Sequence, residues 1–351
     1  MLANTVAQDA EPVEGGPYSR LDESGDGPLV AAKGVQYLPL QTDFQPRQTS
    51  NLNQNPVQTD KNQFQVGDLA LLIDRKDRRY MITLVEGESY HCHLGQLSHD
   101  QLIGHNVGGW FRTDKGHILL GIHPSLGDFV RQMPRGPQII YPKDLGNIIN
   151  FADIFPGATV IEGGLGSGAL TSALLRAVGN TGKVINYEMD EAVLPKALRN
   201  IERINSDTSN LEVKIASIYE GISERNIDRV VLDVPEPWQA LAGIGDALVM
   251  GGIMLSFVPT IIQVQKLVLA MEEDGRFQMI QSMETLLRTW HITERSVRPD
   301  HRMIAHSGFL TTAVRCDPKP YRRVPVEDQS PGEEQGSGEP AGESTGEDSE
   351  E

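Results

Sequence analysis

The chain has 351 residues, 39% of them apolar and 23% charged, enough for a buried core and for two ordinary domains. Its formal charge of −17 sits in the ends: residues 1–60 hold 8 acids and 3 bases, residues 326–351 hold 10 acids and no base, and the stretch between keeps 30 acids against 28 bases. A nucleic-acid partner is therefore not excluded, whereas a membrane-spanning class is (no apolar run has bilayer length) and residues 1–30 are too acidic for a secretory signal; Cys92 and Cys316 make neither a disulfide framework nor a metal-ligand spacing, and a reducing cytoplasm is expected.

Residues 1–60, rich in Gln, Asn, Asp, Gly and Pro, are expected to be a largely disordered extension in which only 29–40 could order. Over 61–130, short half-alternating apolar runs at 68–73, 79–84, 89–93, 110–113 and 117–122 predict a small antiparallel β domain. A proline-punctuated connector, 133–144, leads into a helix at about 144–154. Strands at 159–162, 183–188, 211–216, 227–233, 252–258, 277–287 and 308–315 then alternate with helices at 169–177, 191–204, 239–249 and 261–273. That order predicts an α/β domain over 131–320, built on a parallel-dominated seven-stranded sheet covered on both faces. Residues 321–351, mostly Gly, Glu, Ser and Pro, read as a disordered acidic tail.

The first strand of that domain runs into Glu162-Gly163-Gly164-Leu165-Gly166-Ser167-Gly168-Ala169. Glycines at 164, 166 and 168 let the backbone turn tightly and approach a ligand, with free helix N–H groups behind them. A dinucleotide loop has a related layout, and so has a glycine-rich turn with no ligand. The acid at 162 suits a cationic ligand better than a pyrophosphate. Glu188, ending the second strand, stands where ribose hydroxyls would lie. The fourth strand ends Leu232-Asp233-Val234-Pro235-Glu236-Pro237-Trp238, which places Asp233 beyond a strand tip in the same cleft; it could equally cap the helix that follows. His91 and His93 would share one face of a strand, but no third metal ligand is apparent. Cys316 reads as packing.

Taken together, the segments Met133-Pro134-Arg135-Gly136-Pro137-Gln138-Ile139-Ile140-Tyr141-Pro142-Lys143-Asp144, 161–171, Tyr187-Glu188, 232–238, Arg298-Pro299 and His306-Ser307-Gly308-Phe309 resemble the tRNA (adenine-58-N1)-methyltransferase family of bacterial and archaeal type. The resemblance spans about 64–316. It implies a Rossmann-like class I methyltransferase fold, S-adenosylmethionine as cofactor with no metal, tRNA as substrate and a homotetramer. It implies cofactor contacts from Glu162, Gly164, Leu165, Gly166, Ser167, Gly168, Ala169, Glu188, Ser217, Ile218 and Asp233, and catalytic roles for Asp233 and Tyr141. Gln138, Tyr141, Phe257, Arg298 and His306 are the expected substrate contacts, Tyr141 and Phe257 as stacking faces. Candidates for the RNA backbone are Arg75, Lys76, Arg78, Arg79, Arg131, Arg135, Arg295, Arg298 and Arg302. The chain departs from the family pattern at Gly163 and Leu165, at Ser307 in place of Thr, and at Ala216-Ser217-Ile218, where many members carry an acid. There the Ser217 hydroxyl or backbone would have to meet the cofactor adenine. A methyltransferase for another substrate and a non-catalytic RNA-binding subunit are the alternatives.

Overall fold

The structure, a computed structural model, describes residues 62–134 and 139–320. The expectations for the N-terminal extension, the acidic tail, Arg135 and Gln138 lie outside the described residues. The chain first builds β1 (Leu69–Ile73), β2 (Arg79–Thr83), β3 (Ser89–Cys92), β4 (Gly95–Ser98), β5 (Gly109–Arg112) and β6 (Ile118–Ile122). Four of these form an antiparallel sheet ordered β2-β1-β6-β5, while β3 and β4 pair as a separate hairpin that closes a small core around Phe64, Leu72, Leu97 and Phe111. β3 stops at Cys92, so His93 falls in the turn.

Helix α1 (Leu126–Gln132) straddles the expected boundary at 130, and its Phe129 and Val130 are already buried in the core of the next unit. Arg79 reaches from β2 to Asp128 of α1, while Arg78 pairs with Asp74 at 2.6 Å. These bases are held by acids of the chain itself, and so is Arg131, 3.3 Å from Asp128.

The second unit runs α2 (Pro142–Phe151), β7 (Thr159–Gly163), α3 (Ala169–Val178), β8 (Lys183–Glu188), α4 (Leu194–Ile204), β9 (Leu211–Ile215), β10 (Ile227–Leu232), α5 (Leu241–Ala247), β11 (Leu248–Val258), α6 (Ile261–Asp274) and β12 (Phe277–Met283). A hairpin, β13 (Trp290–Thr293) and β14 (Ser296–Pro299), precedes the last strand, β15 (Phe309–Arg315). The sheet order is β12-β15-β11-β10-β7-β8-β9, parallel except for β15, which is antiparallel to both its neighbours. This is the Rossmann-like α/β architecture expected. Each strand splits its side chains between two cores: Val160, Val184, Val231 and Leu255 face α2, α3 and α4, whereas Ile161, Ile185, Leu232 and Met254 face α5 and α6. The chain proceeds outward from β7 through β8 to β9 and then returns to the other side of β7 with β10. Ligands of open α/β sheets bind beyond the carboxyl ends of the strands at such a reversal.

The expected strand 277–287 ends at Met283, and the residues between it and β15 leave the sheet as an arm. β13 and β14 pair antiparallel there, with Leu287 bridging Ile304 nearer the root. Because β12 ends and β15 begins beside the last residues of β11, the arm springs from the same end of the sheet as that reversal. Among the described residues no helix is long and apolar enough to cross a membrane.

Candidate active site

The turn from β7 into α3 takes φ of +89° at Gly164, +51° at Gly166 and +81° at Gly168. A methyl group on Gly164 would lie 2.5 Å from the Asp233 carbonyl oxygen, and one on Gly168 would lie 2.7 Å from the Ile201 side chain. The loop is thus pressed against β10 on one side and α4 on the other. Glu188 holds it from below: its carboxylate accepts the Leu165 N–H at 2.9 Å, the Gly166 N–H at 3.4 Å and the Asp190 N–H at 2.9 Å. Asn200, buried on α4, donates to the carbonyls of Ser167 (3.1 Å) and Pro134 (3.2 Å), tying the loop to the connector. Ala169 is buried as the first residue of α3.

Glu162 does not line an open hollow as expected. Strand alternation puts it on the same face as Val160, beneath α3, where it is fully buried. One oxygen accepts the Thr171 hydroxyl at 2.8 Å and the Asn186 amide at 2.9 Å; the other, Oε1, is buried with no partner among the described residues. Burial pushes its pKa up to about 8, opposed by the hydrogen bonds from Thr171 and Asn186 and reinforced by the charges of Asp233 and Glu188. An acid raised in this way stays protonated in the folded state while the unfolded chain, near 4.5, has lost its proton. The protein should therefore lose stability as pH rises from about 5 toward 8, with a slope approaching about 1.4 kcal/mol per pH unit. Thermal melts across that range should be steeper for the wild type than for Glu162→Gln; superimposable profiles would refute this reading of Glu162.

Asp233 follows β10 directly, its N–H donating to the Gly163 carbonyl at 2.8 Å. Its side chain is open to water on one side and crowded by protein elsewhere, and that crowding lifts its pKa to about 6. No donor among the described residues reaches its carboxyl, so it does not cap the following turn. Ile218 packs under Gly163, with a methyl at that glycine falling 3.0 Å from Ile218 Cδ1. Ser217 caps the short turn 218–220 by accepting the Tyr219 N–H at 3.3 Å, which leaves its own hydroxyl hydrogen to donate. A glycine cradle, an orphaned carboxyl oxygen of Glu162 behind it and two further acids at the tips of β8 and β10 suit a nucleoside that carries positive charge.

The sequence family described as the tRNA methyltransferase complex GCD14 subunit matches residues 119–315, and a TrmI-like N-terminal family matches residues 63–110. The chain belongs to the tRNA (adenine-58-N1)-methyltransferase family. A relative from Methanocaldococcus jannaschii, named tRNA (adenine(57)-N(1)/adenine(58)-N(1))-methyltransferase TrmI, is 34% identical over 278 residues, 72% of this chain and 96% of its own. Among solved structures, a SAM-dependent O-methyltransferase from Thermotoga maritima aligns with TM-score 0.70 at 32% identity, covering 75% of this chain and 97% of that one. The tRNA (m1A58) methyltransferase TrmI of Aquifex aeolicus aligns with TM-score 0.64 at 25% identity, covering 72% and 99%.

Within this family fold the residues expected to meet substrate are dispersed. Tyr141 stands half-buried at the start of α2, with no side-chain hydrogen bond among the described residues. Phe257 offers no stacking face: it lies in β11, 7% exposed, with its ring packed so tightly on Gly308 that a methyl there would fall 2.3 Å from Cζ. His306 is likewise not free for substrate, since Nδ1 is 3.1 Å from Glu284 and Nε2 is 2.9 Å from the Pro259 carbonyl. Both partners are acceptors, so they favour the protonated ring and raise its pKa. Arg298 is exposed on the arm. Thr171, Asn186 and Asn200 escaped the sequence reading, although Asn186 interrupts an otherwise apolar strand, which marks a buried polar role.

Proposed function

We propose that the chain transfers a methyl group from S-adenosylmethionine to N1 of adenosine 58 in the T-loop of tRNA, acting in the cytoplasm as a homotetramer. The observation that carries this reading is Asp233, a carboxyl with no donor among the described residues, set against Gly164 at the tip of β10. Bound S-adenosylmethionine would supply a methyl group on a sulfonium, which the in-plane lone pair of adenine N1 takes directly with no proton lost.

The residues that would hold it are the loop from Gly164 to Ala169, Glu188 for the ribose hydroxyls and Ser217 with Ile218 beside the adenine. Glu188 keeps lone pairs for hydroxyl donors even while it accepts the loop N–H groups. A cationic methionine end bound in front of Glu162 would favour its ionised form, so that this buried acid, protonated without the ligand, would give up its proton and set negative charge there. Asp233 accepts a hydrogen bond from the adenine amino group, turns N1 toward the methyl and stabilises the charge growing on the ring. Tyr141 presents a flat face to the base, which has to be swung out of its stack to arrive there.

The arm supports both the RNA and the assembly parts of the proposal. On one of its faces Trp290 pairs with Pro299 and Ile292 with Val297; Trp290, Ile292 and Val297 are 57%, 71% and 70% exposed. An isolated hairpin does not hold such side chains in water without a cover, and further copies of the chain would supply it. The other face carries His291 opposite Arg298, with Arg288, Arg295 and Arg302 exposed nearby, a surface suited to phosphates.

Nucleoside mass spectrometry of a tRNA transcript incubated with the protein and S-adenosylmethionine tests the reading. The expected product is 1-methyladenosine, lost when position 58 of the transcript is changed and retained when position 57 is changed. A wild-type protein that leaves the transcript unmethylated overturns it.

A further inference from the structure

Lys143 and Asp144 form an ion pair with side chains only 5% and 1% exposed, two residues beyond Tyr141. The Lys143 ammonium lies 2.8 Å from Asp144 Oδ1 and also donates to the Thr285 carbonyl at 2.8 Å and to the Ser307 hydroxyl. Thr285 Oγ1 donates to Asp144 Oδ1 at 2.7 Å, and Ser307 Oγ donates to Asp144 Oδ2 at 2.6 Å. Each carboxylate oxygen thus receives a hydroxyl, and the ammonium has three different partners. The knot is fully satisfied within itself.

Such a knot is a poor way to gain stability. Removing two charges from water costs about as much as their attraction returns, and apolar residues of similar volume would do as well. What a saturated set of directional bonds supplies is a single fixed arrangement, and here it fixes three separate pieces of chain. Asp144 and Lys143 belong to the first turn of α2, where the N–H groups of Asp144 and Leu145 both bond the Tyr141 carbonyl, at 2.8 and 3.0 Å. Thr285 is where the arm leaves the sheet, and Ser307 is where it returns. One residue outside the knot, Glu284 and His306 meet at 3.1 Å, and His306 reaches on to Pro259 just past β11. Both roots of the arm are therefore tied to each other and to the turn that carries Tyr141, at the end of the sheet where Asp233 stands.

We propose that Lys143, Asp144, Thr285 and Ser307 are positioning residues that hold the arm and Tyr141 in one register, so that RNA gripped by the arm delivers its extruded base to Tyr141 and Asp233. This rests on the tRNA-methylating reading above. The ion pair at its centre is neutral overall and almost wholly shielded from water, so the knot keeps that register at salt concentrations that weaken the arm's hold on phosphates. Ser307 is the informative position, because its hydroxyl both donates to Asp144 and accepts from Lys143.

The test uses the full chain, with Ser307→Ala removing the hydroxyl and Ser307→Thr restoring it. Expected for Ser307→Ala is a kcat/KM for tRNA about tenfold or more below wild type, with the cofactor Kd from calorimetry changed less than about threefold and the Thr variant recovering most of the loss. An active wild type whose Ser307→Ala variant methylates tRNA equally well overturns the positioning role. So does a variant whose cofactor and tRNA affinities fall together with its melting temperature, because that is the mark of general loosening. Should Ser307→Ala not fold, Thr285→Val removes one hydroxyl donor and takes the same measurements. A wild type that leaves tRNA unmethylated sinks the activity reading itself, a result recognisably different from an indifferent Ser307→Ala.

Discussion

Asp233→Asn is expected to slow methyl transfer to tRNA by about 10²–10³-fold while leaving cofactor affinity within a few-fold of wild type. The substitution preserves shape and still offers a carbonyl oxygen to the adenine amino group, so the base can dock. In the proposed mechanism what it removes is the negative charge beside a ring that becomes cationic, in a site already crowded enough to hold the carboxyl near pKa 6. A charge is worth more to the transition state than to the neutral ground state, so the loss should appear in kcat more than in KM for tRNA. The wild-type rate should also fall as pH drops through about 6, because protonation removes the same charge, and that limb should be absent in the variant. Single-turnover rates with 1-methyladenosine quantified by mass spectrometry read both effects. An equally active Asp233→Asn would show that this carboxyl has no part in the chemistry.

The glycine turn after β7 and the acids at the strand tips were legible because their signals are local. Glycines at 164, 166 and 168 mark the tight turn, and the acids at 188 and 233 fall at the ends of β8 and β10 as the strand pattern predicts. Even the burial of Glu162 follows from parity, since it alternates with Ile161 and so shares the α3 face with Val160. The surroundings of Tyr141 and the arm were less legible because their contacts join residues far apart in the chain. Lys143 meets Ser307 across 164 positions, and nothing in either neighbourhood signals the other. Phe257 sits at the end of an apolar strand that could have opened onto a cleft; only the return of the chain at Gly308 closes it in. The β13–β14 hairpin escaped recognition for a different reason. It packs on no core within the described chain, so neither of its faces is buried and its apolar residues do not alternate against a buried partner. The apolar and basic faces emerge only once the register pairs Ile292 with Val297 and His291 with Arg298.

Gly164→Ala is expected to weaken cofactor binding by about tenfold or more and to lower the melting temperature by about 5 °C, whereas Gly166→Ala should be much milder. Both glycines take positive φ, +89° and +51°, and a side chain at either costs about 1–2 kcal/mol on that ground alone. The difference lies in what the new methyl meets. Nothing lies within 4 Å of it at Gly166, whereas at Gly164 it falls 2.5 Å from the carbonyl oxygen of Asp233. That neighbour is backbone and cannot rotate aside, so either the loop lifts off β10 or Asp233 is pushed out of place. The first response breaks the Leu165 and Gly166 bonds to Glu188 and opens the cradle; the second moves the carboxyl proposed to orient the base. Calorimetry of cofactor binding together with thermal melts of the two variants separates the clash from the backbone strain they share. Equal losses at the two positions would mean that the close approach of the loop to β10 does not shape the site, and that the glycines matter for their conformational freedom alone.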